Sequence, residues 1–191
     1  MTPDLLREWQ RRLGGHYAGE VEHGERVAVY AVAAAHRLGW DDDALRTLRF
    51  AAALHDVGKS ALPTELLATS RPTGAQVLEI RKHPELGFDL LLDELSVEGV
   101  EWIVAHHERW DGNGYPHGLH GDDIPFGARL IAVAETLDVL LHDGRWRPPL
   151  PEDAAIEEVR RCAGTQFDPE AVEAVLAVQP LVQPIVVGSD A

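Results

Sequence analysis

Apolar residues recur at helical spacing along almost the whole chain, and the alternation a half-buried strand needs is nearly absent. In R-V-A-V-Y-A-V-A-A-A-H-R-L-G-W, residues 26–40, apolar positions extend round most of a helix, and Gly39 follows the last periodic residue as a stop. Asp41 to Asp43 put negative charge at the start of a second, Ala-rich helix, A-L-R-T-L-R-F-A-A-A-L-H-D. Thr73 is a candidate cap for G-A-Q-V-L-E-I-R-K-H, Pro84 restarts the chain as E-L-G-F-D-L-L-L-D-E-L, and Ser96 can cap V-E-G-V-E-W-I-V-A-H-H-E. Residues 111–125 are rich in Gly, Pro, Asn and Asp and read as an ordered loop or lid. A long helix, F-G-A-R-L-I-A-V-A-E-T-L-D-V-L-L-H, follows; then come a linker, R-W-R-P-P-L-P, and two further helices over 151–163 and 169–178. The tail L-V-Q-P-I-V-V alone has strand character, and Pro184 restricts it to an edge strand or an extended segment. The pattern predicts an all-α fold with a helical extension over 1–20, one domain over 21–178 and a short extended tail over 179–191.

Composition narrows the class. With 191 residues, 45% of them apolar and 26% charged, the chain suits one buried core and excludes disorder over most of its length. Its 17 basic and 32 acidic residues give a net charge of −15, which repels long nucleic acid. No signal peptide or membrane span is evident, so a cytoplasmic protein is expected. The single Cys162 excludes an internal disulfide and a thiolate zinc site. Any metal must therefore sit on His and carboxylate.

Such residues are well supplied. His23 lies just before the first long helix, His55 and Asp56 end the second, His83 ends a third, His106 and His107 end another, and Glu135 lies mid-helix. Each alone has an ordinary explanation: an exposed polar residue, a Pro turn, or a histidine favoured at a helix C-terminus. Together they resist it, because Asp56 and Glu135 interrupt apolar helices, where an unpaired carboxylate costs several kcal/mol or turns neutral. Buried cations remove that penalty.

H-x-x-R-V-A at His23, H-D-V-G-K, H-P-E-L-G, H-H-E-R-W-D-G-N-G-Y-P, G-L-x-G-x-x-I-P, A-R-L-I-A-V-A and G-T-Q-F-D-P occur in that order. Together they resemble the HD-GYP domain, over about residues 21–178. The resemblance implies an all-helical, metal-dependent phosphodiesterase that hydrolyses cyclic di-GMP to pGpG and, in many members, onward to GMP. It also implies that one ion takes His23, His55, Asp56 and Glu135 and a second takes Asp56, His83, His106 and His107. Asp56 bridges them, and a metal-bridging hydroxide attacks phosphorus in line. Two divalent cations are expected, with iron or manganese favoured and zinc or cobalt also compatible. Lys59 resembles the phosphate-contacting lysine. Tyr115 is expected over the nucleotide, and Asp138 and Arg147 match substrate-contacting positions, with orientation of a ligand histidine the other role open to Asp138.

Three departures from the family pattern bear on mechanism. Glu135 stands where the family has Asp. Gly19 stands where members with a third ion have Glu, although Glu20 could reach the same face. Gly144, with Arg145 beside it, stands where an Arg often binds phosphate. A phosphohydrolase for another nucleotide such as cyclic GMP-AMP, a non-catalytic nucleotide- or protein-binding module, and an oxygen-activating di-iron enzyme are the competing readings. The chain leaves no room for a sensor domain, so regulation is expected from a separate sensor protein or from its own termini. A diguanylate cyclase and a homodimer mate are further partners this reading allows.

Overall fold

Helix α2, Glu20–Arg37, runs through the centre of the molecule, and its small side chains let neighbouring helices approach closely. The computed structural model describes residues 3–14, 19–142 and 148–187. Val27, Ala28, Tyr30, Ala31, Ala34 and Ala35 of α2 are buried. Packed against them are α1 (Pro3–Gly14), α3 (Asp42–Ala53), α8 (Phe126–His142) and α10 (Pro169–Val187). The remaining helices are α4 (Thr64–Leu67), α5 (Gly74–Ile80), α6 (His83–Leu91), α7 (Val97–Ala105) and α9 (Glu152–Arg161), with short 3₁₀ turns at Val57–Ala61 and Gly121–Asp123. No strand occurs among the described residues; Ala163 and Phe167 make one isolated bridge. One continuous apolar core joins α1 to α10, with Trp9 and Trp102 buried in it and Trp40 packed against Trp102. No helix among the described residues is long and apolar enough to cross a membrane.

Helix starts follow local chemistry. Asp41 accepts hydrogen bonds from the Asp43 and Ala44 amides at 3.0 and 2.9 Å, and Ser96 accepts from the Gly99 amide at 3.2 Å. Thr73 and Gln76 form a reciprocal capping box at the start of α5.

Four expectations are corrected. The apolar tail is helical through Val187, and its last residues, 188–191, lie outside the described structure. Val175, Val178 and Val182 repeat at helical spacing and are buried, and each such burial is worth roughly 1.5–3 kcal/mol. Their sum outweighs the roughly 3 kcal/mol that a proline such as Pro180 costs inside a helix. His83 begins α6 rather than ending α5, because Pro84 beside it lacks only an amide that the first helical turn leaves unbonded anyway. His23 sits within the first turn of α2, which starts three residues earlier, after Gly19 at φ 91°. Asp56 lies beyond α3 rather than in it, at the entrance to the 3₁₀ turn.

Candidate metal centre

Two glycines bring the ligand-bearing segments together. A Cβ on Gly58 would lie 1.9 Å from the His83 carbonyl oxygen, so the turn after Asp56 can rest on the start of α6 only without a side chain there. A Cβ on Gly24 would lie 2.5 Å from the Ala53 carbonyl oxygen, where α2 crosses the end of α3. The first contact sets Asp56 beside His83, and the second sets His23 beside His55, with ring centroids 5.2 Å apart.

The imidazoles are oriented by their own chain. Nδ1 of His55, His83 and His106 donates to the carbonyl three residues earlier, on Ala52, Ile80 and Ile103, at 2.8, 2.9 and 2.5 Å. His23 directs Nδ1 to the Asp138 carboxylate at 2.7 Å. Each of these four rings therefore turns Nε2 toward the shared interior. His107 packs on His106 with centroids 4.0 Å apart, and its Nδ1 stands 4.0 Å from Glu135 Oε2.

Two groups of donor atoms result, each lying within 4.8 Å of one another: Asp56, His83, His106 and His107 in the first, His23, His55 and Glu135 in the second. Asp56 faces both, with Oδ1 3.1 Å from His83 Nε2 and Oδ2 3.3 Å from His55 Nε2. His55 Nε2 and Asp56 Oδ1 are buried without a hydrogen-bond partner. His83 Nε2 and His106 Nε2 stand 3.4 Å apart. Two lone pairs aimed at each other, and orphaned buried polar atoms beside them, are what a shared cation relieves and what a purely structural cluster would avoid. A donor set of imidazole and carboxylate without thiolate suits iron, manganese, zinc or cobalt.

Electrostatics divide the imidazoles into two kinds. Burial, reinforced by the neighbouring imidazoles, holds His106 well below the ordinary histidine range. Burial likewise lowers His107 to about 4, against the opposing pull of Glu135. Both are neutral ligands at neutral pH. Burial would lower His55 too, but the adjacent Asp56 carboxylate, aided by Glu135, pushes it up to about 9. Burial disfavours the charge on Asp56, yet Lys59 and His55 beside it hold its carboxyl well below the usual range. Asp56 is thus anionic throughout the physiological range.

The other candidate residues fall in distinct places. Lys59 Nζ lies 2.6 Å from Asp56 Oδ2 and 3.3 Å from Glu20 Oε2, at the rim of a cavity of about 260 Å³ that His23, Asp56 and Glu135 also line. Glu20, on the first turn of α2, is only 3% exposed. Tyr115 stacks on His107 with ring centroids 4.7 Å apart. Burial, with Glu135 and Asp56 nearby, raises its phenol, so the hydroxyl keeps its proton. Asp138, expected among the substrate contacts, has both oxygens engaged behind the ligands: it accepts from His23, from Arg26 at 2.7 and 3.1 Å, and pairs with His142 at 3.0 Å. Arg147, with Gly144, Arg145 and Trp146, lies outside the described residues.

Sequence reasoning missed Glu108, the third residue of the H-H-E run. It is buried, and its carboxylate accepts the His117, Gly118 and Leu119 amides at 2.7, 3.1 and 3.1 Å, tying the loop to the residues that follow His107. The Glu after paired histidines was the available signal. A larger cavity of about 630 Å³ between α6, α7 and this loop, lined by Phe88, Val104 and Leu119, contains none of the candidate ligands. The candidate chemistry lies with the donor groups rather than with this wider cavity.

A family model described as HD domain matches residues 8–171. The chain is 35% identical over 183 residues to a 3′3′-cGAMP-specific phosphodiesterase of Vibrio cholerae, an alignment covering 90% of this chain and 35% of the relative. It is 36% identical over 156 residues to the cyclic di-GMP phosphodiesterase response regulator RpfG of Xanthomonas campestris, covering 80% of this chain and 41% of that one. The chain thus spans less than half the length of these curated relatives. Among solved structures, an HDGYP protein of Bdellovibrio bacteriovorus superposes with a TM-score of 0.68 at 23% identity, over 83% of this chain and 52% of the other, a likeness of fold.

Proposed function

Because the chain belongs to the HD domain family and carries the HD-GYP motif set, we propose that it is a metal-dependent phosphodiesterase that hydrolyses cyclic di-GMP to pGpG, with GMP as the further product that separation of the products distinguishes. The observation that carries this reading is Asp56, with one carboxylate oxygen turned to each of two donor groups. In the proposal His23, His55, Asp56 and Glu135 hold one ion, and Asp56, His83, His106 and His107 hold the other, with iron or manganese as the metal. Bound there, two divalent cations supply Lewis acidity at the phosphate and an activated water near neutral pH.

The chain's own residues perform the rest. Water adds to one phosphodiester, the P–O bond to ribose O3′ breaks, and the departing oxygen takes a proton. Lys59 stands beside Asp56 as a cation able to meet charge developing on the phosphate or on that oxygen. Tyr115, resting on His107, covers the site from the loop side, while Glu108 keeps the loop in position. Asp138 holds the His23 ring so that Nε2 faces inward.

The test is hydrolysis of cyclic di-GMP by anaerobically purified protein, with elemental analysis of the same sample and separation of pGpG from GMP. Turnover with about two metals per chain supports the reading, and full loading without turnover overturns it. A second reading, hydrolysis of 3′3′-cGAMP, is favoured by the relative aligned over 90% of this chain. Competition between the two cyclic dinucleotides, read as the ratio of kcat/KM values, decides between them.

A further inference from the structure

Arg81 is a cation beside the donor groups with no carboxylate in ion-pairing distance among the described residues. It terminates α5, next to the Ile80 carbonyl that orients His83 and two residues before His83 itself, so its backbone is held at the rim of the site. Its guanidinium lies 4.9 Å from the centroid of the Tyr115 ring, and that ring stacks on His107. The other cations around the site are taken: Lys59 by Asp56 and Glu20, Arg26 by Asp138, Arg109 by Asp111, and Arg129 by Asp122 and Asp168. Some exposed cations elsewhere find a carboxylate one helical turn away, as Lys82 does with Glu79 and Arg12 with Glu8, whereas Arg81 is set apart by its place over Tyr115. In a chain of net charge −15, an exposed arginine held on an aromatic ring instead of a carboxylate is suited to an anion from outside.

We propose that Arg81 is a specificity-determining residue that binds the second, non-reacting phosphate of the cyclic dinucleotide. The inference rests on the function proposed above. Both phosphates of such a substrate belong to one covalent ring, so when one meets the donor groups of His83 and His107 the other must lie close to their rim. An aromatic ring offers a guanidinium no hydrogen-bond acceptor in its plane, so Arg81 over Tyr115 retains N–H donors for phosphate oxygens.

The experiment compares wild type, Arg81→Ala and Arg81→Lys, all metal-loaded. KM and kcat are measured with cyclic di-GMP and with bis(p-nitrophenyl) phosphate, which has one phosphate only, and Kd for cyclic di-GMP is measured by calorimetry. In Arg81→Ala the KM and Kd for cyclic di-GMP are expected to rise about tenfold, with Lys intermediate, because a point charge replaces a fork. The ratio of kcat/KM for cyclic di-GMP to that for bis(p-nitrophenyl) phosphate falls by a similar factor. The same loss is expected in a Tyr115→Ala background. An unchanged Kd, an equal loss on both substrates, or a loss that vanishes without Tyr115 overturns the inference. Binding of cyclic di-GMP without turnover by wild type would sink the proposed function while the Kd comparison still reads Arg81; absence of binding by wild type overturns both.

Discussion

His83 and His106 point their Nε2 atoms at each other across 3.4 Å, while each ring's Nδ1 is committed to a backbone carbonyl. A cation between the two converts that opposition into ligation. Chelation should therefore destabilise the fold. Metal at about a hundred times its Kd adds roughly 2.7 kcal/mol, and the Tm is expected to fall by roughly 5–10 °C on chelation. Calorimetry of loaded and chelated protein checks this, and a Tm indifferent to metal would contradict it.

Asp56 places one carboxylate oxygen within 3.1–3.3 Å of a histidine in each donor group. Asp56→Ala should lose both ions and reduce phosphodiester hydrolysis at least about a hundredfold, beyond the loss expected for an outer residue alone. Elemental analysis beside a turnover assay reads the outcome. Retention of two ions would mean that the groups are independent.

Gly58 stands against the His83 carbonyl with no room for a side chain. Gly58→Ala forces the Asp56 turn and the start of α6 apart, at a cost of about 1–3 kcal/mol. Urea denaturation should show that loss, and metal affinity should fall with it, since the displaced segments carry Asp56 and His83.

Asp138 holds His23 and Arg26 in a site where it is 1% exposed. Asp138→Asn is expected to lower metal affinity about 10- to 100-fold by releasing His23, measurable by competition with a chromophoric chelator.

The same residue sets a pH dependence. Burial raises the Asp138 pKa, but hydrogen bonds from His142, His23 and Arg26 outweigh it and hold the carboxyl well below its usual range. A carboxyl depressed on folding adds stability above its unfolded pKa of about 3.9 and loses it as pH falls toward the folded value. The stability advantage of wild type over Asp138→Asn should be full above about pH 5 and shrink below about pH 4. Paired denaturant melts across that range test the sign.

Helical periodicity, the caps at Asp41, Thr73 and Ser96, and the identity of the seven candidate ligands were legible in the chain, because each depends on nearest neighbours or on residue type. Contacts between the ligand-bearing segments were not. The start of α6 at His83 had a local signal in Pro84, but that Asp56 lies beside it depends on Gly58 resting on the His83 carbonyl, and the helical tail depends on burial of Val178 and Val182. Roles were hidden for the same reason. Of the two roles the sequence leaves open to Asp138, its oxygens favour orienting a histidine only once His23, 115 positions away in sequence, is seen 2.7 Å from it, and Arg81 is an ordinary surface arginine until Tyr115 lies beneath it. Residue type and local pattern determine which groups can ligate and which segments coil. Only the folded chain decides which atoms face one another, because the facing is set by close approaches between segments far apart in sequence.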